Sequence, residues 1–475
     1  MGKSKSGDLE AQVPDHIQSR CSYPFLPCPE SLADDSFSAA DTAAHECVSE
    51  EALAHLKTYK YSSVDKSYVS RYILKHYWNA FVEILPLWLA PNMVTLLGFF
   101  FILANVGLLE LYVPDLVGPA PNWVYYSFAF GLWMYSTMDN VDGKQARRTG
   151  TSSGLGELFD HGIDSLNCTL GSLLETAAMG YGATKTGAFT ALIPCLPMFF
   201  STWETYHTHT LYLGYFNGPT EGLIIACSMM IMSAQYGPEI WSSSLIKYFP
   251  SLENYISPLT TFREFWIPIL LSSFVIAHLP ACVVNVVKAR RANGLPVGPV
   301  FYEWTPIVIF TAATCAWLGS PYSFILEDWD SKQKTGGHLV LWCVIMSLVF
   351  GRMTTKIILA HLTRQPFPYW TIMLVPMIVG AIIVNLPFLG IGWTVTESFE
   401  LWYLRIYFVF AAVVYAKWAV LVINSICTYL GINCLTIPQG RDSFKESEKT
   451  SLNSVEPDRR VTRSMANGNG GRKSD

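Results

Sequence analysis

The sequence predicts an all-α fold: a polytopic membrane bundle of about ten transmembrane helices, preceded by an amphipathic helix at the interface. Three observations carry that expectation. Of 475 residues, 51% are hydrophobic and 15% charged, with a mean hydropathy of +0.28, a balance typical of membrane-embedded chains. About ten segments approach the roughly 20 residues that a helix needs to cross hydrocarbon. They are 92–112, 122–146, 154–180, 186–212, 219–236, 265–287, 299–319, 336–361, 367–389 and 399–429. Between two of them the run DNVDGKQARRTGTSSGLGELFDHGID, Asp139 to Asp164, gathers acidic residues and a paired arginine. Charge is expensive inside a membrane, so its presence there marks a functional site.

Taken in order, residues 1–50 are polar, carry the acidic patch ESLADDSFSAAD and lack a helical period, which reads as a disordered arm. The N-terminus has no apolar stretch of the signal-peptide kind. Met1 to Ser6 match a loose myristoylation pattern, but a chain with many spans has no need of that anchor. Residues 51–90 form the interfacial region. From Asp65 onward, Tyr68, Val69, Tyr72, Ile73, Tyr77, Phe81 and Leu85 recur every three or four residues, while Lys66, Arg71 and Lys75 fall mostly elsewhere. This is the pattern of a basic helix lying on a membrane, or of one packed against the bundle. A core follows at 91–215, further helices at 216–435, and a charged, Gly/Ser/Asn-rich disordered tail at 436–475. Eleven scattered cysteines without a C-x-x-C pair read as packing residues. Lys144, Arg147 and Arg148, then Lys288, Arg290 and Arg291, then Arg364 fall on one side of the predicted spans. That bias makes their side, and both termini, cytosolic.

Within the charged run, Asp139 and Asp142 are three apart and Asp160 and Asp164 four apart, so each pair shares a helix face. Brought together by the short 148–153 connection, they form a cage for hard divalent ions, which prefer carboxylate oxygens. Without cations, four carboxylates would repel one another strongly. Gly143 and Ala146 leave a helical face bare, either for close approach of a ligand or for helix packing. Arg147 suits a phosphate fork, whereas Lys144 and Arg148 serve either phosphate or topology. Pro91 and Asn92 open the first span, where asparagine suits helix initiation and anion contact alike. Glu157 and His161 share the stripe of Asp160 and Asp164, and a histidine oriented by a carboxylate suits a general base. Downstream, Trp203, Tyr206 and His207 stand with Glu204, either as a cation–π box for a quaternary ammonium or as an interfacial aromatic belt.

The order D-x-x-D-G-x-x-A-R, eight residues, G-x-x-x-D-x-x-x-D places Asp139, Asp142, Gly143, Ala146, Arg147, Gly156, Asp160 and Asp164 at fixed positions. It resembles the signature of the CDP-alcohol phosphotransferases, membrane enzymes that move a phospho-alcohol from a cytidine diphosphate carrier to an alcohol acceptor. The resemblance implies two Mg²⁺ or Mn²⁺ ions on the four aspartates. It places Gly143, Ala146, Arg147 and Gly156 beside the cytidine and phosphates, and Asn92 of P-N-x-x-T near the nucleotide. ELFDH is similar to the eukaryotic choline/ethanolamine phosphotransferase branch. There the histidine after the third aspartate is implicated as base and the glutamate supports it, which assigns those parts to His161 and Glu157. Shorter bacterial members use the fourth aspartate, which keeps Asp164 as the alternative base, with a merely supporting histidine third. LKTYKYSSVDKSYVS, PLWLAPN, DGKQARRT and LGELFDHGIDS extend the likeness over about 50–435, most specifically over 91–165. Asn140 departs from the small or apolar residue often found there.

The implied reaction transfers phosphocholine or phosphoethanolamine from CDP-choline or CDP-ethanolamine to diacylglycerol, releasing CMP. It makes 91–215 the catalytic core and 216–435 the acceptor-lipid side, with the contacts of a homodimer. Diacylglycerol as acceptor suggests the endoplasmic reticulum or Golgi, and no nucleic-acid partner is expected. Two other readings are a membrane prenyltransferase, whose acidic motifs usually lie on distant helices, and an ion-coupled transporter, which has no need of Gly143, Ala146 and Arg147.

Overall fold

Helix boundaries follow local chemistry. In this computed structural model, residues 48–59, 61–326 and 338–437 are described. The expectations for most of the N-terminal arm and for the tail beyond 437 lie outside them. Ser49 caps α1 (Glu50–Ala54) through the Ala52 N–H. A π turn at Ser70–Leu74 leads into α2 (Lys75–Ile84). Proline opens α3 (Pro91–Tyr112), where its missing N–H costs nothing. Gly150, at φ +66°, ends α4 (Asn122–Thr149), and Ser153 caps α5 (Gly154–Ala178). Then come α6 (Lys185–Leu192), α7 (Cys195–Thr208), α8 (Leu223–Tyr236), α9 (Phe262–Ser272) and α10 (Leu279–Ala292). The last are α11 (Thr305–Leu318), α12 (Leu339–Thr363), α13 (Leu374–Val384) and α14 (Glu397–Leu430). The short strands β1 (Ser63–Asp65) and β2 (Leu211–Leu213) pair in parallel.

The described residues are thus mostly helical, as expected, with two short strands among them. Among the described residues, four stretches are long and apolar enough to cross a membrane: α3, the continuous Phe262–Ala292, α12 and α14. The other predicted segments fall short of that test for visible reasons. α4 and α5, at 28 and 25 residues, are long enough but carry the charged run. α8 and α11 have 14 residues each and α13 has 11, while Pro194 stands in the break between α6 and α7.

α12 runs through the centre, packed against α5, α7 and α14, while α3 packs on α4 and α5. The α3–α4 contact is close because glycines line it. A Cβ on Gly98 would lie 2.8 Å from Met138 Cβ, and one on Gly131 1.9 Å from Asn105 Nδ2. Met138 precedes Asp139, so this contact sets where the first carboxylate stands.

The interfacial helix splits its expected stripe, with Val69, Tyr77, Phe81 and Leu85 packed into one cluster with Leu74, Trp78 and Val82. Ser70, Leu74, Trp78, Val82 and Leu85 point inward, while Tyr68, Tyr72 and Ile73 are exposed. The π turn shifts the register, and two bonds to the start of α8 pin the inner side: Ser67 Oγ donates to Glu221, and Ser70 and Thr220 hydroxyls lie 3.1 Å apart. α4 clamps the same helix. Arg148 donates to the carbonyls of Val82 (2.9 Å) and Leu85 (2.6 Å), Gln145 to those of Pro86 (2.9 Å) and Leu89 (3.0 Å), and Lys144 to Asn79 Oδ1 (2.9 Å). The helix is therefore packed on the bundle and still presents aromatic side chains outward.

Because Gly131 leaves no room for a side chain, Gly131→Val should cost about 1–3 kcal/mol and lower the melting temperature in detergent. A variant that melts like wild type would show that α3 and α4 tolerate separation.

Candidate functional site

The site forms where α4 ends and α5 begins, the two joined by the turn at 150–153. One carboxylate oxygen each from Asp139, Asp160 and Asp164 lie within 4.8 Å of one another. Asp142, buried one turn along α4, stands outside that group and accepts from Thr95 Oγ1 at 2.5 Å. Three of the four expected cage members therefore converge, and a threonine on α3 holds the fourth. Tyr135, one turn before Asp139, donates its hydroxyl to Asp164 Oδ1. Asp160 Oδ1 is buried without a hydrogen-bond partner. Buried acceptors are rarely left bare, so this oxygen calls for a ligand. An all-oxygen set with one acceptor uncommitted fits a hard divalent cation and not a thiolate-seeking metal.

The predicted nucleotide-side residues lie around this cluster. Nothing stands within 4 Å of a Cβ built on Gly143 except Arg147 Nη1 at 3.6 Å, so the guanidinium overhangs a bare helix face. Gly156 turns its bare side toward Asn92 Oδ1, 3.8 Å from a built Cβ. Asn92 does not cap α3, whose N-cap is Ala90. Its amide instead donates to the Cys434 carbonyl at 3.0 Å, tying the chain beyond α14 to the site. Ala146 is half-buried, and its carbonyl receives the Thr151 N–H at 2.9 Å, closing the turn.

His161 Nε2 lies 4.0 Å from Asp160 Oδ2, and its ring meets Tyr61 edge-on at 6.5 Å. Glu157 corrects the expectation that it orients His161: it accepts from the Tyr59 hydroxyl and lies 3.9 Å from His361 Nε2. The i,i+4 spacing put Glu157 and His161 on one stripe, but a buried carboxylate turns to whichever donors the fold supplies. Tyr61 stands at the mouth. Its outer side is open, leaving 51% of the residue exposed. Burial of its inner side pushes the phenol up to about 12 despite a lowering bond from Ser63, and the charges of Asp160, Asp139 and Asp164 add to the rise. It therefore remains a hydroxyl donor at neutral pH.

The head-group box is corrected too. Trp203 is fully buried, its indole N–H donates to Glu303 at 2.8 Å, and Phe200, Trp304 and His207 press edge-to-face around it. Tyr206 donates to the Gln365 carbonyl at 2.9 Å. Neither offers a free aromatic face to an ammonium, because residues distant in sequence cover both. Sequence reasoning gave no role to Thr95, the last residue of P-N-x-x-T, and missed Tyr135, Tyr59 and His361. The spacing of Tyr135 and Asp139 along one helix could have revealed the first of the tyrosines, but no local pattern points to His361.

A helical membrane bundle with clustered carboxylates, a bare glycine face and an overhanging arginine is the framework of an enzyme that handles a diphosphate. The sequence description of the CDP-alcohol phosphatidyltransferases matches residues 88–246. Over 81% of its length the chain is 37% identical to choline/ethanolaminephosphotransferase 2 of Arabidopsis thaliana, covering 97% of that protein. It is 37% identical to cholinephosphotransferase 1 of Saccharomyces cerevisiae (68% of this chain, 80% of that one). It is 30% identical to ethanolaminephosphotransferase 1 of Homo sapiens (72% and 84%). The chain belongs to the CDP-alcohol phosphatidyltransferase family, a divalent-metal-dependent group of transferases, and is an integral membrane protein. Neither the prenyltransferase nor the transporter reading shares that membership.

Since Tyr135 orients Asp164, Tyr135→Phe should raise the Mg²⁺ or Mn²⁺ concentration for half-maximal activity about tenfold with nucleotide KM unchanged. An unaltered metal titration would remove Tyr135 from the site.

Proposed function

We propose that this protein transfers phosphocholine, phosphoethanolamine or both from the CDP-alcohol to diacylglycerol, forming phosphatidylcholine or phosphatidylethanolamine and CMP. The observation that carries the reading is the carboxylate cluster with its uncommitted Asp160 oxygen, set beside Arg147 and the bare face of Gly143. Asp139, Asp160 and Asp164, with Asp142 alongside, would hold two Mg²⁺ or Mn²⁺ ions. Bound there, such ions neutralise charge on both phosphates of a pyrophosphate.

The chain's own residues do the rest. Arg147 grips a phosphate, and Gly143, Ala146 and Gly156 let the nucleotide approach the helix backbone, with Asn92 at the edge. His161 takes the proton of the acceptor hydroxyl, whose oxygen attacks the β-phosphorus as the bond to CMP breaks. Glu157, one turn earlier on α5, supports His161. Trp203 and Tyr206 are left to packing. The enzyme works as a homodimer in the endoplasmic reticulum or Golgi, with its mouth and both termini on the cytosolic side, where soluble CDP-alcohols are available.

Purified protein with diacylglycerol and Mg²⁺ or Mn²⁺ should release CMP and phospholipid from CDP-choline, CDP-ethanolamine or both. His161→Ala should slow that chemical step by something like 10²–10⁴-fold with CDP-alcohol affinity nearly intact. Lost nucleotide binding with unchanged chemistry would move His161 to the donor site.

The lysine and arginine bias predicts sidedness. In microsomes with the cytosolic face outward, an impermeant thiol reagent should label Thr149→Cys and Asn293→Cys and spare Lys185→Cys, each in a cysteine-free background. The reverse pattern would invert the topology.

A further inference from the structure

Glu157 is held by side chains that the family signature does not contain. Its side chain is 5% exposed and that of His361 4%. Tyr59, from the segment after α1, donates to Oε2, and His361 Nε2, near the end of α12, lies 3.9 Å from Oε1. The rings of Tyr59 and His361 meet edge-to-face at 6.2 Å. On the far side of His361, its Nδ1 lies 3.1 Å from Nδ1 of His209, the exposed C-cap of α7, with the rings stacked at 5.0 Å. Two imidazole Nδ1 atoms at that distance share one proton, because one must donate and the other accept. Each ring thereby fixes the tautomer of the other, and His361 is left with Nε2 facing Glu157.

The chain His209–His361–Glu157 brings together three separate helices, α7, α12 and α5, and its last member stands one turn from His161. His361 lies beyond the matched segment 88–246, so the downstream helices take part in more than lipid contact. We propose that His361, locked by His209, is a positioning residue for the transfer reaction, acting through Glu157 and not on substrate directly. Tyr59 completes the hold from the opposite oxygen. The proposal rests on the reaction given under Proposed function.

A double-mutant cycle tests it, because a residue that acts through another loses its effect once the other is gone. With purified full-length protein, CMP release is followed for wild type, His361→Leu, Glu157→Gln and the double variant. Thermal melting in detergent confirms that each is folded. His361→Leu should lower kcat about tenfold while KM for the CDP-alcohol stays within about twofold, and in the Glu157→Gln background it should cost nothing further. His361→Gln, which keeps a polar end near the place of Nε2, should recover part of the rate. His209→Leu should repeat the His361→Leu pattern at smaller size. An equal loss from His361→Leu in both backgrounds, or a loss borne by KM or melting temperature alone, would make the histidine pair structural and overturn the proposal. If His361→Leu fails to fold, the same cycle with His209→Leu decides. Wild-type protein that releases no CMP from either CDP-alcohol would defeat the reaction itself, a result distinct from an additive cycle in an active enzyme.

Discussion

Everything at this site answers to one constraint: three carboxylates must be held within a few ångströms of one another in a bundle that is otherwise apolar. Mutual repulsion drives such groups apart unless the backbone fixes them. Here the backbone does so with a turn of four residues, 150–153, between two long helices. Gly150 can reverse the chain because it adopts a left-handed conformation, and Ser153 restarts it. The glycine-lined contact of α3 with α4 then sets the depth of Asp139, and Thr95 and Tyr135 each occupy one neighbouring carboxylate oxygen.

The same constraint divides α4 between two tasks. Gly143 and Arg147 face the open side of the site, while Lys144, Gln145 and Arg148 reach back to the interfacial helix and the segment after it. By supplying donors to the terminal carbonyls of α2, Arg148 does the work of a C-cap. A pair of adjacent arginines therefore splits, one over the bare glycine face and one into the scaffold. The sequence suggests a phosphate fork for Arg147 and leaves phosphate or topology open for Arg148, and the helical period, which separates neighbours by about 100°, forces the division.

What the sequence made legible was local. The aspartate pairs, the short connection between them and the bare glycines are all set by spacing within two consecutive helices, so periodicity was enough to place them. The fold class followed from composition for the same reason. The errors arose where the deciding contact joins distant parts of the chain. Glu157 turned from His161 to His361, 204 positions away, and Trp203 lost its faces to residues near 300. The π turn at the start of the interfacial helix is a one-residue irregularity that an ideal period cannot foresee. Gln145, wholly buried, was missed because a polar residue at that spacing looks like a solvated face until the segment that covers it is known.

Charge in the membrane region is, in the end, too coarse a mark of function. Glu400 accepts from the Trp317 indole at 2.6 Å, from Ser323 at 2.9 Å and from the Phe324 N–H at 2.6 Å. Glu303 accepts from Trp203 and lies 2.6 Å from His207, and Glu204 accepts from Asn285 at 2.6 Å. These carboxylates are as deeply placed as the signature aspartates, yet their donors come from the surrounding helices, so each has a structural account. Asp160 differs in having a buried oxygen that nothing in the protein satisfies, the only such carboxylate oxygen among the described residues. A protein interior tolerates a bare anionic acceptor only where something else regularly supplies the missing partner. The useful criterion is therefore charge left unsatisfied, and it selects the meeting of α4 and α5 over every other acidic position in the bundle.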